Sequence, residues 1–359
     1  NLNNAYGPSE LRNGVPVCVS GPGGDVIPGC VPVNPLGPRG SITQDALDYT
    51  SFTAHDSSMV ESKGYTANIS GELFTLPAGP LGFAAGYEYR KESGQFDPDA
   101  FIAAGLSTGN GARPTAGSYS LDEFYLELSV PVLADLPGAQ LLDFSLATRY
   151  SDYSNFGDTV NNKFGFRWKP IQDLMIRGNY SEGFRAPSIN NLFAGNSDSF
   201  ETYADPCSSQ SGQLSNPVVA QNCAAAGVPA NFVQPGAGNG AKQTLEPFTW
   251  TSNDQLQPET STSRTLGMVF SPSFAQGLNI SLDWWQIEIE NAITRPESQF
   301  ILDKCYGGSA GEQAEYCALV TRDPNYADGA YTVTNINMPL LNLASYKVEG
   351  WDLAVNYRL

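Results

Sequence analysis

The sequence is poor in positive charge. In 359 residues, 19 Lys and Arg stand against 37 Asp and Glu, a formal net charge of −18. Phosphate backbones demand a basic surface, so nucleic acid is excluded as a partner. Histidine is nearly absent: His55 is the only one, and the six cysteines show no C-x-x-C spacing. That argues against zinc and against Ser/His/Asp chemistry. Asp45, Asp48 and Asp56 lack the spacing of a calcium loop. The reading is of a protein that is no enzyme and has neither metal nor cofactor. Long apolar runs are missing too. None approaches the roughly 18 residues of a membrane helix, and mean hydropathy is only −0.25. A helical membrane protein is excluded. A membrane β-barrel is not, because its apolar signal alternates and averages out.

Glycine (36), proline (25), tyrosine (17) and phenylalanine (18) are abundant. They are arranged in a rhythm: runs of alternating hydrophobicity, separated in turn by short turns and by long Gly/Pro-rich loops. Tyr65, Ala67, Ile69, Gly71 and Leu73 alternate with Thr66, Asn68, Ser70 and Glu72. After the turn Pro77–Pro80, Leu81, Phe83, Ala85, Tyr87 and Tyr89 alternate with Gly82, Ala84, Gly86, Glu88 and Arg90. The same period of two predicts strands around residues 123–130, 142–150, 160–168, 174–181, 260–271, 278–290, 331–338 and 346–358, about ten in all. The central apolar positions of these windows carry no Asp, Glu, Lys or Arg, whereas the opposite faces carry many; charges appear at strand ends, such as Glu182, Arg264 and Glu349, where headgroups begin. In lipid this has a cause, since a Lys or Arg near mid-bilayer costs roughly 2–4 kcal/mol. The 278–290 window changes phase after Trp285, which predicts a bulge or an extension beyond the bilayer there. Helical turns are expected near Thr43–Tyr49 and within 297–319.

The cysteines fall in local pairs, Cys18 with Cys30, Cys207 with Cys223 and Cys305 with Cys317, each in a loop-like stretch. Three loop-local disulfides are predicted, and with them an oxidising compartment.

Five motifs then occur in order. Asn179-Tyr180-Ser181-Glu182-Gly183-Phe184-Arg185-Ala186-Pro187-Ser188 resembles the Y-S-x-G-F-R-A-P-S signature of TonB-dependent outer-membrane receptors. Ala147-Thr148-Arg149-Tyr150-Ser151-Asp152-Tyr153 resembles the family's A-x-R-Y-S-D-Y, and Ala85-Gly86-Tyr87-Glu88-Tyr89-Arg90 its G-x-E-Y-R. Leu256-Gln257-Pro258-Glu259-Thr260-Ser261 is similar to L-x-P-E-x-S. The run Asp283-Trp284-Trp285-Gln286-Ile287-Glu288-Ile289-Glu290-Asn291-Ala292-Ile293 is similar to D-Y-x-x-I-x-I-x-N-x-I.

The resemblance implies an all-β, antiparallel transmembrane barrel of 22 strands around an N-terminal plug, in the outer membrane of Gram-negative bacteria. Its implied partners are outer-membrane lipid, a TonB-type coupling protein acting through the plug, and a small solute such as a ferric chelate, cobalamin or an oligosaccharide. No leader, plug, TonB box or terminal aromatic strand is visible, so residues 1–359 read as a partial barrel domain, its middle portion. Residues 1–50, 93–118, 186–259 and 292–330 are expected as extracellular loops. Glu88, Arg90, Arg149, Lys163, Arg167 and Arg177 are expected to line the lumen. Arg185, Phe200, Tyr203, Phe232, Phe248 and Trp250 are candidates for solute binding, with packing of the loop's own small core as their competing role. The acidic balance disfavours highly anionic solutes. Alternative readings are a passive porin-like channel and a secreted, soluble β-rich binding protein.

Overall fold

The computed structural model describes residues 1–236, 241–244 and 246–358; of the expected 186–259 loop, residues 237–240 and 245 lie outside the described residues. The chain divides into two units, Asn1–His55 and Asp56–Leu359.

The first unit is a small folded element. Its hairpin pairs Ser9–Arg12 with Val15–Cys18. The connecting Asn13-Gly14 adopts positive φ at both residues (54° and 80°), the geometry that two-residue hairpins select. The Cys18–Cys30 disulfide closes the following loop. A helix, Gln44–Thr50, begins at Thr43, whose hydroxyl accepts from the Ala46 N–H at 3.2 Å.

The second unit is built on a nine-stranded antiparallel sheet: β1 (Ser57–Leu76), β2 (Gly79–Asp97), β3 (Thr115–Leu136), β4 (Ala139–Tyr153), β5 (Gly157–Ile171), β6 (Leu174–Arg185), β7 (Glu259–Phe270), β8 (Leu278–Thr294) and β9 (Leu341–Tyr357). Spatial order follows chain order from β1 to β9, an uninterrupted meander. Short connections at 77–78, 137–138, 172–173 and 271–277 gather at one end. The long ones, 98–114, 186–258 and 295–340, lie at the other, with the brief 154–156 turn among them.

Register carries the apolar face from strand to strand. Trp351 lies opposite Trp284, Trp284 opposite Leu266, and Leu266 opposite Gly178. Gly178 in turn faces Phe166, Phe166 faces Phe144, and Phe144 faces Val130. Further along, Leu126 pairs with Ala85 and Ala85 with Ile69. Among the described residues no second layer covers this face: even on central strands Phe124 (53%), Phe164 (42%) and Leu266 (52%) stay exposed. A soluble protein does not leave so continuous an apolar surface open. Charges on this face gather toward the long-loop end, at positions such as Asp122, Asp152, Glu182, Arg264 and Glu349. The opposite face is polar. There Gly86 makes room for the Tyr125 ring, which a Cβ would meet at 2.4 Å, and the Tyr125 hydroxyl donates across it to Asn68 at 2.9 Å.

The phase change in β8 is an extension. Pairing runs unbroken through Trp285, opposite Thr265 and Gly350. Gln286 follows Trp284 on the apolar face but accepts from Arg264 at 3.0 Å and donates to Glu349 at 2.9 Å. That face thus turns polar one step beyond the tryptophan. The register break comes later, between Ile289 and Ala292, where Asn291 has φ 54°.

The strand foreseen at 331–338 exists but does not join the meander. As Thr332–Pro339 it lies in a separate four-stranded sheet with Val320–Asp323, Phe248–Thr251 and Ser197–Ser199. Loops 186–258 and 295–340 therefore fold together. Helices Pro217–Ala225, Ser298–Gly307 and Ala310–Cys317 complete this loop module. Pro217 starts its helix behind an Asn216 cap, and Ser309 with Glu312 forms a capping box. The shared core contains Phe248, Ile301, Leu302, Val333 and Ile336, all at 1% exposure or less. The Cys207–Cys223 and Cys305–Cys317 disulfides join it.

Candidate functional site

Two surfaces have the makings of a site: the polar face of the sheet and the loop module at its long-loop end.

Glu88, Arg90, Arg149, Lys163, Arg167 and Arg177 all fall on the polar face, opposite the apolar belt. Pleating puts them there, since each is one residue out of phase with a belt residue. Most sit in ion pairs. Arg167 binds Asp143 at 2.8 Å and Arg177 binds Asp283 at 2.8 Å. Arg149 binds Glu123 at 3.3 Å, and Arg90 lies 3.5 Å from Glu92 and 3.9 Å from Glu88. Lys163 lines a recess of about 280 Å³ with Asp143, Ser145, Arg167 and Arg177. Such a ladder of paired charges is affordable only on a wetted face.

Arg185 ends β6 and donates twice to Glu259 at the start of β7, at 2.5 and 2.7 Å. Glu259 also accepts from the Ile293 N–H at 2.7 Å. The arginine thus anchors the base of the large loop where three strands leave the sheet.

The aromatic candidates divide. Tyr203, Phe232 and Phe248 are buried in the loop core (3%, 7% and 0% exposed), so their rings are occupied with packing. Burial holds the Tyr203 hydroxyl well above its ordinary pKa. Phe200 and Trp250 remain at the surface, 43% and 39% exposed. The Trp250 indole N–H donates to Glu201 at 3.0 Å, and the Arg295 guanidinium lies over its ring at 4.9 Å. Arg295 in turn donates to the carbonyls of Thr251 and Met338. Burial lowers its pKa, a trend opposed by the field of Glu201.

One buried pair escaped the sequence reading. Arg322 donates to both oxygens of Asp205 at 2.7 and 2.6 Å, to the Tyr306 hydroxyl at 2.7 Å and to the Tyr331 carbonyl at 2.9 Å. Burial alone would lower the Arg322 pKa, but the Asp205 carboxylate outweighs it and the net shift is upward. Only the fold reveals this pair, because its partners come from different loops. Among the described residues no cluster of His, Cys, Asp and Glu is arranged to hold a metal ion.

An antiparallel meander with an apolar belt on one face, a charged ladder on the other and large loops gathered at one end is the architecture of part of an outer-membrane β-barrel wall. The family model "TonB dependent receptor-like, beta-barrel" matches residues 11–359, and the chain belongs to that family. It is a family of outer-membrane receptors of Gram-negative bacteria and not of enzymes. No curated protein matches by sequence. Among solved structures, the chain is similar to the ferric enterobactin receptor PfeA of Pseudomonas aeruginosa, at 14% identity and a TM-score of 0.51 over 83% of this chain and 33% of that one. The PfeA structure in complex with enterobactin gives 14% identity and a TM-score of 0.50, covering 82% and 33%. The siderophore receptor PirA of Acinetobacter baumannii gives 15% and 0.47, covering 84% and 34%. The chain thus spans about a third of the length of these relatives.

Proposed function

We propose that this chain is part of an energy-coupled uptake receptor. Its loop module captures a scarce small solute, the strands carry it past lipid, and a plug within the completed barrel, driven by a TonB-type protein, admits it to the periplasm. Loops 98–114, 186–258 and 295–340 face the outside in this reading, and the ion-paired face lines the lumen. Ferric chelates, cobalamin and oligosaccharides are the solute classes in view, and relatives named for siderophores support the first.

The observation that carries the reading is the loop module itself. A passive channel needs short or inward-folded loops. Here two loops build a cored, disulfide-stapled module over four strands of the barrel wall, a rigid scaffold for recognition. The test is uptake by cells bearing the full-length receptor. Saturable accumulation of one of these solutes that stops when the proton-motive force is collapsed supports the proposal. Non-saturable uptake indifferent to the proton-motive force would identify a porin-like channel.

A further inference from the structure

We infer that the surface around Trp250 is a binding platform for an uncharged, hydroxyl-rich ring, of the oligosaccharide class. The inference deepens the proposed function and rests on its reading of the loops as the capture surface.

The first observation is orientation. The indole is fixed on three sides: by its place in the strand Phe248–Thr251, by donation from its N–H to Glu201, and by Arg295 above the ring. It nevertheless keeps 39% of its surface exposed. A ring already locked loses little further entropy on stacking, which favours capture of a flat C–H face.

The second is the pair of polar groups beside it. One Glu201 oxygen, Oε1, accepts from Trp250 at 3.0 Å and from Ser199 at 2.6 Å; among the described residues Oε2 has no hydrogen-bond partner. Arg295 uses Nη1 for the Thr251 and Met338 carbonyls, and among the described residues its Nε and Nη2 have no hydrogen-bond partner. It also has no salt bridge to a carboxylate among those residues. One acceptor at the indole edge and one donor group over the ring therefore sit beside the exposed part of Trp250. Hydroxyl groups both donate and accept, so a sugar satisfies the two together.

The third is charge. Segments 186–258 and 295–340 hold eleven Asp and Glu against Lys242, Arg295, Lys304 and Arg322. Arg322 is bound to Asp205 and Lys304 to Glu312. An approaching polyanion, such as a ferric tris-catecholate, meets a net negative field with little free cation to bind it.

The test is fluorescence titration of the detergent-purified, full-length receptor and its Trp250→Ala and Glu201→Gln variants. The probes are a neutral malto-oligosaccharide, an uncharged ferric trihydroxamate and a ferric tris-catecholate. Saturable binding of the oligosaccharide, weakened about tenfold or more in each variant, and no binding of the catecholate are expected. Binding of the catecholate or the trihydroxamate without the oligosaccharide would overturn the inference and leave the receptor reading standing. Oligosaccharide binding that is unchanged in Trp250→Ala would overturn the placement of the site. If no probe binds the intact receptor, this inference is overturned, and a parallel titration with cobalamin decides whether the loop-capture reading falls with it.

Discussion

Asp205 and Arg322 lie 117 residues apart in the chain, yet meet in two parallel hydrogen bonds at 2.7 and 2.6 Å. Their side chains are 0% and 9% exposed. The pair ties the 186–258 loop to the 295–340 loop inside a common core. Removing one member leaves the other charged and buried, at a cost of about 3–5 kcal/mol. Asp205→Ala should therefore loosen the loop module while the sheet stays assembled. Protease cleavage confined to residues 186–340, with unchanged electrophoretic mobility of the folded barrel, is the expected outcome. Asp205→Leu combined with Arg322→Met should recover most of the resistance, because an apolar pair of similar volume carries no desolvation cost.

The nine strands of the large sheet could be read from the sequence because each presents two faces of opposite character. One face of β7 carries Leu266, Met268 and Phe270 and the other Thr265 and Gly267, so the alternation writes itself at a period of two. The three cysteine pairs were legible for a similarly local reason, each being closed within 12 to 16 residues. The loop module was not legible. Phe248, Ile301 and Ile336 meet only after two loops have folded together, and no short-range period announces contacts made over such separations. Thr332–Pro339 shows why a strand pattern does not name its sheet: Val333, Ile336 and Met338 face a loop core, not lipid. The aromatic candidates failed to separate for the same reason. Residue type alone does not distinguish Phe248, at 0% exposure, from Trp250, at 39%.

Glu312 supplies a pH prediction. It accepts from Lys304 at 2.6 Å and from the N–H and hydroxyl of Ser309, each at 2.8 Å. The Lys304 ammonium first, then the Ser309 donors, hold its carboxyl down at about 2. A depressed folded-state pKa contributes stability that is fully present above the unfolded value, near 4.5, and is lost as pH falls toward the folded one. Hydrogen exchange of the helix Ala310–Cys317 should therefore be slower in the native protein than in Glu312→Gln at neutral pH. The two should converge as pH is lowered from about 4.5 to about 2. A difference that persists at the acidic limit would show that the side chain acts by packing and not by charge.

The Cys207–Cys223 bridge spans 16 residues, and both cysteines are buried beside Tyr203 and Phe232. Loop closure of this length restricts the unfolded chain by roughly 3 kcal/mol. The Cys207→Ser/Cys223→Ser double variant should lower the resistance of the loop module to proteolysis by an amount corresponding to that figure. Solute binding should weaken in step with the loss of ordered module. Reduction of the native protein should reproduce the effect only under conditions that open the core, since neither sulfur is at the surface.

The apolar belt makes the sharpest claim about environment. Met268 lies between Ile176 and Leu282 in the register, all three on the same face, and is 41% exposed although it sits on a strand paired on both sides. Lipid gives such a methionine a favourable surrounding. Met268→Arg should cost about 2–4 kcal/mol in a bilayer, seen as a lower urea midpoint for the full-length receptor folded into vesicles. Thr265→Arg, one residue out of phase on the polar face, should cost under about 1 kcal/mol in the same assay. If both substitutions cost the same, lipid does not lie against the Met268 face. The alternation along β7 would then reflect some other partner layered on the sheet.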